Sequence, residues 1–138
     1  MDDNEFRQAL AVLEAYQRQL ENFSSQAELL RMSLDDALRA RDTLQAVAGA
    51  KKGDDILIPV GSGTFVHATI SEKKTAVVGV GTRLSVEKGL ADAVEFMKAG
   101  INDITEALKK ADGAIREVDE AARKLSAAVQ QEYQRRQQ

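Results

Sequence analysis

Four glycines in the middle of the chain, Gly61 and Gly63 in GSGTFV and Gly79 and Gly81 in GVGTRL, are spaced like the start of a phosphate-cradling loop. That chemistry fails in detail. A dinucleotide fingerprint needs a third glycine three residues later, where a side chain would block close packing of helix on strand. Here those positions hold Val66 and Leu84, and no Gly-Lys-Ser/Thr follows either loop. The glycines read instead as turns and bulges. His67 is the only histidine and cysteine is absent, so a zinc site would need one imidazole and several carboxylates. Ser62, Ser71 and Thr82 carry hydroxyls, but no second histidine or evident buried base stands by to activate them. Asp35 with Asp36, and Glu117 with Asp119 and Glu120, fall at mostly outer helix positions and solubilise the chain. No catalytic residue, cofactor or metal site is expected, and the chain reads as a non-enzyme.

Function must then lie in surfaces, and two long helices carry them. With Phe6 at heptad position a, the a series is Phe6, Leu13, Leu20, Ala27, Leu34, Arg41 and Ala48, and the d series is Ala9, Tyr16, Phe23, Leu30, Ala37 and Leu44. An apolar seam repeating every 3.5 residues makes helices wrap around a partner, and only Arg41 interrupts this one. Asp2, Asp3 and Asn4 suit the positive end of the helix, and Gly49 with Lys51 and Lys52 suits its stop, which gives helix one over 4–48. A second seam places Leu90, Met97, Ile104, Ala111, Val118 and Leu125 at d, with Val94, Ile101, Leu108, Ile115, Ala122 and Val129 at a. Ser85 serves as a plausible N-cap and Glu87 adds charge to the first turn, giving helix two over 85–136. Each helix spans roughly 65 to 75 Å at 1.5 Å per residue. Matched lengths favour an antiparallel hairpin, with Leu44 near Leu90, Phe6 near Val129 or Tyr133, and Arg41 opposite Asp92 or Glu95.

The segment between, 54–84, has strand-like composition in ILIPV, TFVHATI, TAVVGVG and RLSVE, separated by GSG, SEKK and GT. This spacing predicts two β-hairpins. An isolated two-stranded hairpin is marginal in water, and apolar strands with open edges pair with other chains. The strands are therefore expected to assemble with other subunits through Ile56, Ile58, Val60, Phe65, Val66, Ile70, Val77, Val78 and Val80. The whole is a mainly α chain, a single domain over 1–138: a long antiparallel two-helix coiled coil with two β-hairpins inserted at the junction.

Composition agrees. Of 138 residues only 4% are aromatic while 30% are charged, poor material for a globular core and good material for long helices with wet faces. The net charge is -3, and basic pairs such as Lys109-Lys110 are scattered among acids, so no nucleic-acid or membrane partner is expected. The acidic N-terminus is unlike a secretory signal, and a cytoplasmic location is the default. Near the chain ends, Leu10 and Val12 lie beyond the seam of the first helix and Tyr133 extends the second, so the terminal heptads carry more apolar surface than one seam needs, a weak and adaptable contact surface.

The acidic GDDILI followed by PVGSGTFVHATI, then GVGTRLSVEKGLADAVEFMKAGI opening the second helix, resembles the α-class subunits of the prefoldin family. The likeness extends over nearly the whole chain, and its short tails are similar to those of archaeal members. The resemblance implies a holding chaperone that uses no ATP. It implies a hetero-hexamer of two α-class and four β-class subunits whose hairpins join in a double β-barrel with the coiled coils hanging from it. Unfolded client proteins would be held at the distal tips, where the resemblance makes Phe6, Leu10, Leu13, Leu125, Val129 and Tyr133 the client-contact candidates by position, and passed to a group II chaperonin. The rival reading is a coiled-coil scaffold or spacer that oligomerises through its hairpins and binds one fixed partner.

Overall fold

Helix α1 (Asp3–Gly49) and helix α2 (Leu90–Gln137) bracket four strands in the chain, β1 (Asp55–Gly61), β2 (Thr64–Thr69), β3 (Thr75–Gly81) and β4 (Leu84–Gly89). The structure is a computed structural model and describes residues Met1–Gln138. Asp2 caps α1: its Oδ1 accepts from the Glu5 N–H at 2.8 Å and its carbonyl from the Phe6 N–H at 3.0 Å. At the other end the cation that meets the helix is Lys74, whose Nζ donates to the Ala50 carbonyl at 2.9 Å. A positive charge there offsets the negative end of the helix dipole, the role that sequence assigns to Lys51 and Lys52.

Helix two starts later than 85. Residues Ser85 to Gly89 belong to β4, where Val86 pairs with Val78, Glu87 with Val77 and Gly89 with Thr75. Ser85 is thus no N-cap. β3 offers a ladder up to Thr75, and the strand continues until the Leu90 N–H reaches the Lys74 carbonyl at 3.0 Å. Glu87 serves the sheet rather than a helix dipole: it accepts from Thr75 Oγ1 at 2.8 Å and pairs with Lys73 at 2.9 Å. These contacts, Lys73 first, hold its carboxyl below the usual range.

The chain forms two compact units. The first joins Met1–Met32 to Ile104–Gln138. Its two segments run antiparallel, as ion pairs Asp3–Arg136 at 2.7 Å and Arg31–Asp112 at 3.2 Å require. Only Ala9 and Ala27 of the α1 seam are buried here, while the larger seam residues, Leu13 and Leu125 among them, are half-buried. Two helices alone cover each other on one side, so burial is spread along a line.

The second unit is Ser33–Asp103. Its core is Ile70, Val78, Leu90, Ala93 and Val94. Leu44 and Met97 line one cavity with Val78, which keeps the antiparallel sense of the seams. Arg41 does not reach across to Asp92 or Glu95; it pairs with its neighbour Asp42 at 2.9 Å. The adjacent carboxylate satisfies the guanidinium without crossing the seam.

Two separate two-stranded sheets result, β1 with β2 and β3 with β4. In the first, Ile58 pairs with Val66 and Leu57 with His67, with an irregularity at Val60 between Pro59 and Gly61. Its turn places Ser62 (φ 51°) and Gly63 (φ 66°) both in the left-handed region, as a type I′ turn demands. In the second sheet Arg83 takes that conformation, with φ 60°.

Candidate functional site

The sequence-predicted tip residues divide between two grooves on the first unit. Phe6 and Leu10 of α1 and Val129 and Tyr133 of α2 line one groove of about 380 Å³, together with Gln130 and Gln134. Tyr133 is 56% exposed and Leu10 42%, so the groove opens to solvent. Leu125 lines a second groove of about 610 Å³ with Val12 and Tyr16. Leu13 lines neither groove and lies in the seam. Tyr16, Gln130 and Gln134 are the additions to the expected surface, and Val12, read from the sequence as surplus apolar surface beside Leu10, lines the second groove. Tyr16 falls at a d position of the first seam, and that period is the signal that points to it.

Charges hold the helix ends in place. Arg136 donates to Asp3 Oδ1 at 2.7 Å, to Glu132 Oε1 at 3.1 Å and to the Met1 carbonyl at 3.1 Å, while its guanidinium lies 4.6 Å from the centre of the Phe6 ring. Glu132 is buried and also accepts from Arg135, at 3.0 Å from Nε. The Arg135 hydrogen bond, against the opposing effect of burial, lowers the Glu132 carboxyl to about 2; the Arg135 charge, the Met1 ammonium and Arg136 assist. A carboxylate so held stays ionised at any ordinary pH, and the arginines are locked by it. The aromatic wall of the groove is thereby fixed by a planar cation rather than by packing alone.

The hairpin residues separate by face. Ile56 and Ile58 are half-buried, and Ile70 and Val78 are buried. Val60, Phe65, Val66, Val77 and Val80 are exposed, Val77 to 74%. Leu57, Leu84 and Val86, within the strand segments expected to carry assembly, are exposed too. Leu57 follows the strand alternation with Pro59, opposite His67 and Phe65, so it shares their face. Both sheets thus present apolar side chains outward and an unpaired strand on each edge. His67 is exposed on β2, and no cluster of histidine and carboxylates gathers around it. No helix is long and apolar enough to cross a membrane.

Two long helices with two antiparallel hairpins between them in the chain, and apolar surface at the helix ends and on the strands, define a coiled-coil protein with an inserted pair of β-hairpins. A family profile described as Prefoldin subunit matches residues 16–135, and the chain belongs to the prefoldin family. It is 32% identical to prefoldin subunit alpha of Methanothrix thermoacetophila over 108 residues, covering 78% of this chain and 71% of that one. It is 30% identical to prefoldin subunit alpha 1 of Methanocaldococcus jannaschii over 134 residues, covering 97% and 92%. Among solved structures, a filamentous PFD from Methanocaldococcus jannaschii determined by cryo-EM has the same fold, with a TM-score of 0.65 at 23% identity over 88% of this chain and 98% of that one.

Proposed function

We propose that this chain is a subunit of a holding chaperone that keeps unfolded polypeptide soluble without nucleotide or catalysis. The observation that carries the reading is the solvent-open groove of Phe6, Leu10, Val129 and Tyr133, apolar surface that the chain's own seam leaves uncovered. Several such shallow contacts hold a client weakly and in many registers, which suits partners that share apolar character and no sequence. The hairpins supply assembly: their outward apolar residues and open edges are completed by strands of β-class subunits, in a hexamer of two α-class and four β-class chains with a closed barrel at its centre. Clients leave by competition from a group II chaperonin, and the cysteine-free composition suits the cytoplasm.

The test is aggregation of several unrelated denatured proteins at matched concentration of assembled complex, with the full chain and with a chain lacking residues 1–10 and 129–138. The reading expects the full complex to protect all of them and the truncated one to protect less. The loss is partial, because partner subunits bring helix ends of their own. Protection of one protein only would favour the scaffold reading, and undiminished protection by the truncated complex would remove the groove from the account.

A further inference from the structure

Two of the six residues that line the groove at the helix ends are glutamines, Gln130 and Gln134, and none is charged. The lining is neutral, and the charged residues nearby, Asp3, Glu132 and Arg136, spend their charges on one another. Both glutamines are exposed, and neither side-chain amide is engaged within the chain. They stand four residues apart on α2, so amides recur about every 6 Å along the groove. An extended polypeptide turns backbone groups to one side every second residue, about every 6.6 to 6.8 Å. The difference is under about 1 Å, well within the reach of a flexible glutamine, and each amide both donates and accepts.

The match has an energetic consequence. A client side chain that enters an apolar groove draws its flanking peptide groups out of water, and those groups cost free energy unless the wall supplies partners. An α-helix has already paired its backbone and gains nothing from the amides; an unfolded, extended segment has not. Resting on the holding reading, we propose that Gln130 and Gln134 form a backbone-binding pair that selects extended, uncharged polypeptide segments over segments already folded into helix.

The experiment is fluorescence anisotropy with the full-length chain and a short labelled peptide alternating leucine with serine, beside the same peptide N-methylated at every second residue. The methyl groups remove backbone donors and leave the side chains intact. One net hydrogen bond is worth roughly two- to tenfold in affinity, so the unmethylated peptide is expected to bind about tenfold tighter. In Gln130→Met/Gln134→Met, which keeps side-chain length and helix propensity, its affinity falls to that of the methylated peptide, whose own affinity does not drop. Circular dichroism verifies that the helices are intact. Equal binding of the two peptides by the natural chain, or undiminished binding by the double variant, overturns the backbone-pair assignment and leaves the holding reading in place. No binding of either peptide overturns both.

Discussion

The Arg136 guanidinium lies over the Phe6 ring, 4.6 Å from its centre, and so joins the last turns of α2 to the first turns of α1 at the wall of an apolar groove. One cation thereby organises both the ionic lock with Asp3 and Glu132 and the aromatic face that a bound chain would meet.

Replacing Arg136 by alanine should loosen the helix ends and leave the rest of the fold alone. Amide exchange in the first turns of α1 is expected to quicken several-fold, with little change in global melting, because terminal turns open locally. Lysine should rescue poorly, since only a planar fork stacks on the ring while pairing with two carboxylates. Unchanged exchange in Arg136→Ala would show that the seam alone holds the ends.

The pairing of the helix ends should resist acid because of Glu132. Its carboxyl titrates near 2 in the folded chain against an ordinary 4.5. A group with a depressed folded pKa contributes stability that is complete above its unfolded value and disappears as pH falls through the folded one. Exchange protection near Phe6 is therefore expected to hold at pH 5, erode below 4.5 and be lost near 2. Glu132→Gln should be less protected at neutral pH and flat across that window. The same acid profile in the variant would assign the transition to other carboxylates.

Lys74 ties the second unit together, its side chain meeting the end of α1 and its carbonyl taking the first N–H of α2. Lys74→Met removes the cation and keeps the backbone bond, so a loss of about 0.3–1 kcal/mol is expected, read as a shift in thermal or urea midpoint. A neutral result would mean that water serves the Ala50 carbonyl equally well.

Phe65→Asp should break assembly and preserve helicity. Phe65 is 56% exposed on β2 and touches neither heptad seam, so the isolated chain tolerates the charge. Once a neighbouring strand covers it, an unpaired carboxylate costs on the order of several kcal/mol. Sedimentation should show smaller species with an unchanged helical signal. An unaltered oligomer would place the assembly face elsewhere, on the side of Ile56 and Ile58.

Much of this architecture is legible in the residues because coiled coils write their packing as a simple period. The heptads anchored on Phe6 and Leu90, together with matched helix lengths, bring Phe6, Leu10, Val129 and Tyr133 together before any coordinate is seen. What fails is what the period does not encode. Ser85 and Glu87 have the chemistry of a helix start, and only the pairing of Val86 with Val78 makes them strand. Arg41 has three carboxylates within plausible reach, and the choice of Asp42 is a matter of side-chain path. Gln130 and Gln134 stay hidden because a polar residue on a helix carries no periodic signal, so their place on the groove emerges only from the paired helices.

The central claim is that the groove at the helix ends touches unfolded polypeptide. A photo-crosslinking residue placed at Tyr133, with Leu57 on the hairpin as the control position, tests it directly in the assembled complex with a labelled denatured protein. The account predicts strong crosslinks from position 133, weak ones from position 57, and loss of the former when the client is native. Crosslinks that are absent at 133, or equal at the two positions, while the complex still prevents aggregation would contradict it.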